Sequence, residues 1–325
     1  MRAVRVKEFD RPEQVVIEEV PPRQAAPGEV VVSVKACGVN FLDALTVKGN
    51  YQTKPPLPFT PGAEVAGVIR EVGAGVTALS VGMRVMAVTG FGGWAEEAAV
   101  PESRVFALPE GMDFTTAAGF PIAYGTSHHA LKDRARLEPG ETLLVLGAAG
   151  GVGLTAVELG KIMGARVIAC ASSEEKLALC REYGADALIN YATSDLRERI
   201  RELTGGKGVD VVYDPVGGPY AEPAVRALGF QGRYLVIGFA SGAIPSIPLN
   251  LVLLKITSIV GVFWGAYAQA RPKHNALNLA QLLAWYGEGR LRPHVSGTFP
   301  LASYREALDV VMNRNARGKV VMVLD

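Results

Sequence analysis

The sequence has 325 residues, of which 49% are hydrophobic and 20% charged, and a formal net charge of +1. This balance excludes a disordered chain, and with Lys and Arg dispersed along the sequence there is no electrostatic footprint for nucleic acid. The three widely spaced cysteines, Cys37, Cys170 and Cys180, form no C-x-x-C pair, hence neither a disulfide framework nor a cysteine-built zinc site.

The opening stretch "MRAVRVKEFD" alternates apolar and charged residues, unlike a signal peptide. No apolar run reaches the roughly 18 residues needed to span a bilayer. A soluble chain in a reducing, cytoplasmic compartment is expected, with no membrane partner. The length suits two domains.

From Met1 to about Gly111 the Val-rich runs "RAVRVKEF", "QVVIEEV" and "EVVVSVKACGV", separated by Pro and Gly, predict a β-rich domain. From Pro121 strand and helix alternate. "TLLVL" is followed by a helical "VGLTAVELGKIMG", then "ARVIACA", a helical "SEEKLALCREYG", "ALINY", a helical "SDLRERIRELTG" and "VDVVYDPV". Strands separated by 10 to 15 helical residues imply βαβ units and a parallel sheet. With "GRYLVIG" and "ITSIVGVF" the count reaches about six strands, as in a doubly wound dinucleotide-binding fold.

After Gly265, "KHNALNLAQLLAWYGEG" and "ASYREALDVVMNRNARG" read as helices, with "PHVSGTF" and "KVVMVLD" as strands. This tail is too short for a domain of its own. The expected division is therefore 1–121 for the first part of the β-rich domain, 122–264 for the α/β domain, and 265–325 returning to the first.

The stretch "LLVLGAAGGVG" sets Gly147, Gly150, Gly151 and Gly153 between a predicted strand and a predicted helix. Ala148 holds the first position of the G-x-G-x-x-G pattern and Gly150 and Gly153 the second and third. Gly150 would let backbone approach a pyrophosphate and Gly153 would let the helix pack on the sheet. The helix start, with Gly151 and Val152, would face the phosphates. The alternative is a tight turn with no ligand.

About 20 residues on, where NAD-binding folds carry an acidic residue for the ribose, the sequence reads "ACASSEEK". Ala171 and Ser172 occupy that place, and Lys176 in the next helical turn could meet a 2′-phosphate as a point charge. This favours NADPH. The alternative is a solvated Lys176 beside a capping box of Ser172 and Glu175. Glu174 opposes the NADPH reading if it swings inward.

Together "GVNFLD", "PGAEVAGVI", "GAAGGVG", "SSEEKL" and "ARGKVVM" resemble the zinc-independent NADPH:quinone oxidoreductase branch of the medium-chain dehydrogenase/reductase superfamily, over essentially the whole chain. The resemblance implies a GroES-like β-rich catalytic domain joined by the tail, and a Rossmann-type sheet. It also implies a homodimer paired through the sixth strand.

Zinc-dependent relatives have Cys at the position of Asn40 and His at that of Ala63, and neither Asn nor Ala replaces those ligands here. The four histidines, His128, His129, His274 and His294, read as structural or exposed. Without a metal, a quinone or an α,β-unsaturated carbonyl is the expected acceptor, because conjugation spreads the incoming charge that a simple ketone would place on a metal. The protein then holds nicotinamide and acceptor in register and supplies donors to the oxygen.

By the resemblance, Asn40 lies near nicotinamide and substrate, and Tyr51 is the expected donor to the substrate oxygen. Leu45 replaces a second tyrosine common in the family. Thr126 corresponds to a contact at the nicotinamide end. Tyr191 matches a partner of the adenosine phosphate beside Lys176, and Arg317 is expected at the same end. Phe239 and Phe263 fall at the carboxyl ends of the fifth and sixth strands, where such sheets bind ligands; core packing is the alternative for each. Trp264 is either a flat wall for the acceptor or filler of the seam between domains. Glu158 replaces a usual glutamine about two turns into the helix, with little expected effect on cofactor.

The expected activity is NADPH-dependent hydride transfer to a quinone or enone. The rivals are a 2-enoyl thioester reductase acting on acyl-CoA, and a non-catalytic NADPH-binding protein with a structural or nucleic-acid-binding role.

Overall fold

The computed structural model describes residues 1–324, which form two compact units: 1–122 with 292–324, and 123–291.

The first unit begins with strand β1 (Arg2–Val6), β2 (Val15–Glu19) and β3 (Glu29–Val39), then helix α1 (Phe41–Val47), strands β4 (Glu64–Val72), β5 (Arg84–Val88), β6 (Glu97–Pro101) and β7 (Val105–Ala107), and helix α2 (Phe114–Ala118). Helix α3 (Pro121–His128) begins at the end of the first unit's opening segment and continues into the second. It runs into a π-helical turn at 129–135 and is followed by strand β8 (Thr142–Val145) and helix α4 (Gly151–Ile162). Next come β9 (Arg166–Ala171), α5 (Glu174–Glu182), β10 (Ala187–Asn190), α6 (Leu196–Leu203), β11 (Val209–Asp214), α7 (Ala221–Arg226) and β12 (Leu228–Val236). The unit ends with α8 (Asn250–Leu254), β13 (Ser258–Gly261), α9 (Trp264–Ala270) and α10 (Pro272–Gly287). Strand β14 (Val295–Pro300), helix α11 (Tyr304–Met312) and strand β15 (Lys319–Val323) complete the first unit.

In the first unit a seven-stranded sheet runs β14-β15-β3-β4-β5-β7, with β6 paired to β3, and β1 and β2 form a separate ribbon. Strand position explains the pattern. β3 and β15 are apolar almost without interruption because both lie between partners and are covered on both faces. β14, at the edge, alternates half-buried and exposed residues.

In the second unit six parallel strands run β10-β9-β8-β11-β12-β13. The order reverses between β8 and β11, where Val145 stands opposite Tyr213, and the crevice at such a switch point is where sheets of this kind bind ligands. The Rossmann-type sheet and β-rich companion expected from the sequence are both present. β12 starts earlier than the apolar run suggests, because Leu228 pairs with Val209 ahead of an irregularity in which Gln231 takes a φ of 59°.

The return to the first unit comes at Arg292 rather than at 265. Helices α9 and α10 stay with the second unit because polar contacts tie them there. Trp264 Nε1 donates to Asn275 Oδ1 at 2.9 Å and joins α9 to α10, while Asn278 Nδ2 donates to Asp133 at 2.9 Å and Lys132 donates to Gln281 at 2.7 Å. No helix among the described residues is long and apolar enough to cross a membrane.

Candidate active site

The glycine turn sits directly at the switch point, with residues 146–149 turning the chain from β8 into α4. Two of its glycines serve opposite ends. A Cβ on Gly153 would lie 2.2 Å from the Gly147 carbonyl oxygen and 2.9 Å from Ala148 Cα, so this position lets helix and strand close on each other. A Cβ on Gly150 would meet nothing nearer than that same oxygen at 3.3 Å, which leaves an open cradle in front of the helix. Gly150 is the N-cap of α4 and has no side chain to cap it. The first N–H groups of a helix lack internal partners, so Gly151 and Val152 bring donors and the positive end of the dipole to this cradle. The backbone therefore fits a pyrophosphate.

Buried hydroxyls fix this turn. Ser127 Oγ on α3 lies 2.9 Å from the Val152 carbonyl and 2.8 Å from both Thr155 Oγ1 and Tyr213 Oη. Thr126, the preceding residue, is half-buried on the same helix. Across the switch point, the buried Asp214 carboxylate accepts from the N–H groups of Val216 at 2.7 Å and Gly217 at 2.8 Å and from the Tyr234 hydroxyl. It thereby shapes the loop after β11.

At the tip of β9, Ser172 is exposed and accepts from Lys176 Nζ at 3.4 Å. Ser173, rather than Ser172, caps α5, its hydroxyl accepting from the Lys176 backbone N–H. Ser172 is thus left outside the cap that the sequence suggested for it. Glu174 Oε1 accepts from Asn190 Nδ2 at 2.8 Å, which directs the carboxylate toward β10. Tyr191 follows β10, its N–H donating to the Ala171 carbonyl and its ring tilted against that of Tyr220 with centroids 4.4 Å apart. The structure brings Ser172, Lys176 and Tyr191 to one end of the sheet.

Phe239 is half-buried in the loop after β12, close to Gly217, and Phe263 is 50% exposed just before α9. Neither is closed within the core. Trp264 is different, being 5% exposed and packed on Gly125 of α3. It fills the interior of the second unit, which rules out its role as a wall for the acceptor. Glu158, also buried, accepts from the Tyr124 hydroxyl at 2.6 Å.

In the first unit, Asn40 caps α1, its N–H donating to Asp43 Oδ2 at 2.8 Å. Its side-chain Nδ2 donates to Glu64 Oε1 at 2.9 Å, and its Oδ1 accepts from Lys319 Nζ at 2.5 Å. Lys319 Nζ also donates to Glu64 Oε1 at 2.8 Å, and Glu64 Oε2 accepts from the Ile122 N–H at 2.9 Å. Glu64 is fully buried and Lys319 and Asp43 nearly so. Burial pushes the Asp43 carboxyl up to about 7, against the lowering pull of the Asn40 N–H and the Lys319 ammonium. Tyr51 is half-buried, and burial together with the charge of Asp43 raises its hydroxyl above the ordinary tyrosine range. Leu45, on α1, is half-buried, and Arg317 stands exposed ahead of β15.

Asp43, Glu64 and Lys319 were not singled out from the sequence, although "GVNFLD", "PGAEVAGVI" and "ARGKVVM" contain them. The available signal was a charged residue opening an apolar strand, as in "EVAGV" and "KVVMV", since a charge placed there is buried only with a partner. His128 and His129 are buried and bonded to Gln281 and Asp133. Among the described residues no cluster of three or more His, Cys, Asp or Glu side chains could hold a metal ion.

Two family models match, "Alcohol dehydrogenase GroES-like domain" over residues 26–110 and "Zinc-binding dehydrogenase" over residues 151–282. Quinone oxidoreductase-like protein 2 of Bos taurus is 42% identical over 324 residues, covering 99% of this chain and 92% of the relative. Quinone oxidoreductase of Rattus norvegicus is 34% identical over 329 residues, covering 100% of this chain and 98% of the relative. A crystal structure of Escherichia coli quinone oxidoreductase complexed with NADPH superposes with a TM-score of 0.93 at 28% identity, covering 100% of both chains.

Proposed function

The chain belongs to the quinone oxidoreductase branch of the medium-chain dehydrogenase/reductase superfamily, and from that membership we propose that it is an NADPH-dependent reductase of quinones or α,β-unsaturated carbonyls. The observation that carries the cofactor half of this reading is the open cradle at Gly150 before the uncapped start of α4, at the switch point of the sheet.

In this reading Gly150, Gly151 and Val152 hold the pyrophosphate through backbone N–H groups. Ser172, Lys176 and Tyr191 receive the 2′-phosphate, with Arg317 as a further cation for it. The Asn190 bond to Glu174 supports NADPH over NADH, because it ties to β10 the carboxylate that would otherwise swing toward the ribose. Thr126, Phe239 and Phe263 are assigned to the nicotinamide end. When bound, the cofactor supplies the hydride.

Tyr51 keeps its hydroxyl proton at neutral pH, since burial and Asp43 both disfavour the phenolate, and so serves as donor to the oxygen that gains charge. Asn40 presents its amide to the reacting molecules. The metal-free reading rests on residue type, with Asn40 and Ala63 where zinc-dependent relatives carry ligands.

A homodimer and a cytoplasmic location complete the proposal. Strand β13 is a sheet edge, and Phe230, Ile244, Leu249, Leu253, Leu254 and Ile256 around it are each at least 60% exposed. An apolar edge of this kind invites a second copy, pairing edge to edge. The three cysteines are buried free thiols, as suits a reducing compartment.

The test is NADPH oxidation against a panel of quinones, enones, enals and enoyl-CoAs. Highest kcat/KM for quinones or enones is expected. A preference for enoyl-CoAs, or no turnover with any acceptor, overturns the substrate assignment.

A further inference from the structure

Asn40 is held by its backbone N–H on Asp43, its Oδ1 on Lys319 and its Nδ2 on Glu64. The two side-chain partners differ in kind. An ammonium only donates hydrogen bonds and an ionised carboxylate only accepts them. The amide is therefore locked in one sense, oxygen toward Lys319 and nitrogen toward Glu64, and a flip would set like groups against each other on both sides. Lys319 and Glu64 are bonded to each other as well, so the three side chains form a closed triangle.

This triangle is built in from three separate strands or strand ends. Asn40 follows β3, Glu64 opens β4 and Lys319 opens β15. The backbone makes room for it: a Cβ on Gly38 would fall 2.3 Å from Glu64 Oε1, and one on Gly119 would fall 3.2 Å from Lys319 Cβ. The second oxygen of Glu64 is satisfied by the Ile122 N–H. The Asn40 side chain also meets Asp43 and is only half-buried, so the amide is partly exposed with its sense set.

We infer that Lys319 is a positioning residue of the reaction: with Glu64 it fixes the sense of the Asn40 amide, so that the amide is presented to the reacting molecule in one defined orientation. This rests on the reductase reading for what Asn40 meets, and not for the lock itself. The cation on Oδ1 and the anion on the first N–H polarise the amide in the same direction, and such chains of bonds strengthen one another at low dielectric.

The test uses the full chain labelled with ¹⁵N-asparagine, the Asn40 side-chain amide being assigned by its loss in Asn40→Ala. In the unsubstituted chain its two protons should be widely separated and slow to exchange; in Lys319→Met they should move toward free-amide values. Turnover with 9,10-phenanthrenequinone should fall by about 100-fold, the scale of a misplaced group, with NADPH affinity by fluorescence titration largely unchanged. Adding Lys319→Met to Asn40→Ala should cause no further loss.

If Lys319→Met fails to fold because Glu64 is left unpaired, the double variant Glu64→Gln with Lys319→Met removes both charges and keeps the packing. It should show the same amide collapse and the same turnover loss. Unchanged amide signals, or losses that add in the Asn40→Ala background, overturn the inference. If the unsubstituted chain reduces no acceptor, the reductase reading fails while the amide signals still decide the role of Lys319.

Discussion

Tyr124 on α3 and Glu158 on α4 meet through a 2.6 Å hydrogen bond with both side chains buried, so the acidic residue that departs from the family pattern is used inside the second unit. Tyr124→Phe should destabilise the protein by about 1–3 kcal/mol, the cost of withdrawing one donor from a buried acceptor. NADPH affinity should not change. Chemical denaturation and a binding titration on the same preparation check the two halves, and a large loss of affinity at undiminished stability would place Glu158 at the cofactor instead.

Gly150 and Gly153 should separate binding from folding. Gly153→Ala drives a methyl into the Gly147 carbonyl and should lower Tm by about several °C through overpacking. Gly150→Ala meets only one atom and should leave Tm nearly unchanged, while weakening NADPH binding about tenfold or more, about 1.4 kcal/mol. Similar Tm losses in both variants would reject the cradle.

Lys176→Ala should weaken NADPH binding by about 1.5–3 kcal/mol, the range for a hydrogen bond to a charged group, and leave NADH almost unaffected. Titration of both nucleotides measures this directly. Equal losses would remove Lys176 from discrimination between them.

Asp43 gives a pH signature of unusual sign. Its carboxyl titrates near 7 in the folded protein against an ordinary value of 3.8, so between those values the folded state keeps a proton that the unfolded chain has released. Its contribution therefore falls as pH rises from about 4 to about 7 and then levels, in total on the order of 4 kcal/mol. Asp43→Asn should flatten this, and the difference between the two denaturation series across that range isolates it from other carboxylates. A difference that stays constant with pH would refute the assignment.

The βαβ alternation from "TLLVL" to "VDVVYDPV" was legible because each strand is a short, apolar run and each helix has its own amphipathic period, so local pattern and global fold agree. The glycine turn was legible for the same reason, since it lies between two such elements. The Asn40–Glu64–Lys319 triangle was not. Its members are 24 and 255 residues apart along the chain, and only the pairing of β15 with β3 brings Lys319 to the others. Ser127 and Tyr213 were hidden differently: a hydroxyl in an apolar segment looks the same whether it bonds its own helix or another. Helices α9 and α10 misled because a helix pattern reveals which face is apolar and not which sheet it covers.

The place of β15 next to β3 has a consequence for synthesis on the ribosome. Residues 123–291 leave the exit tunnel as a complete unit with their own sheet and can fold at once. Val39 must wait for Val320 to emerge before its strand gains that neighbour. Until then the Ala36–Val39 end of β3 carries an unsatisfied apolar edge, a natural point for chaperone capture or for mispairing with another nascent chain.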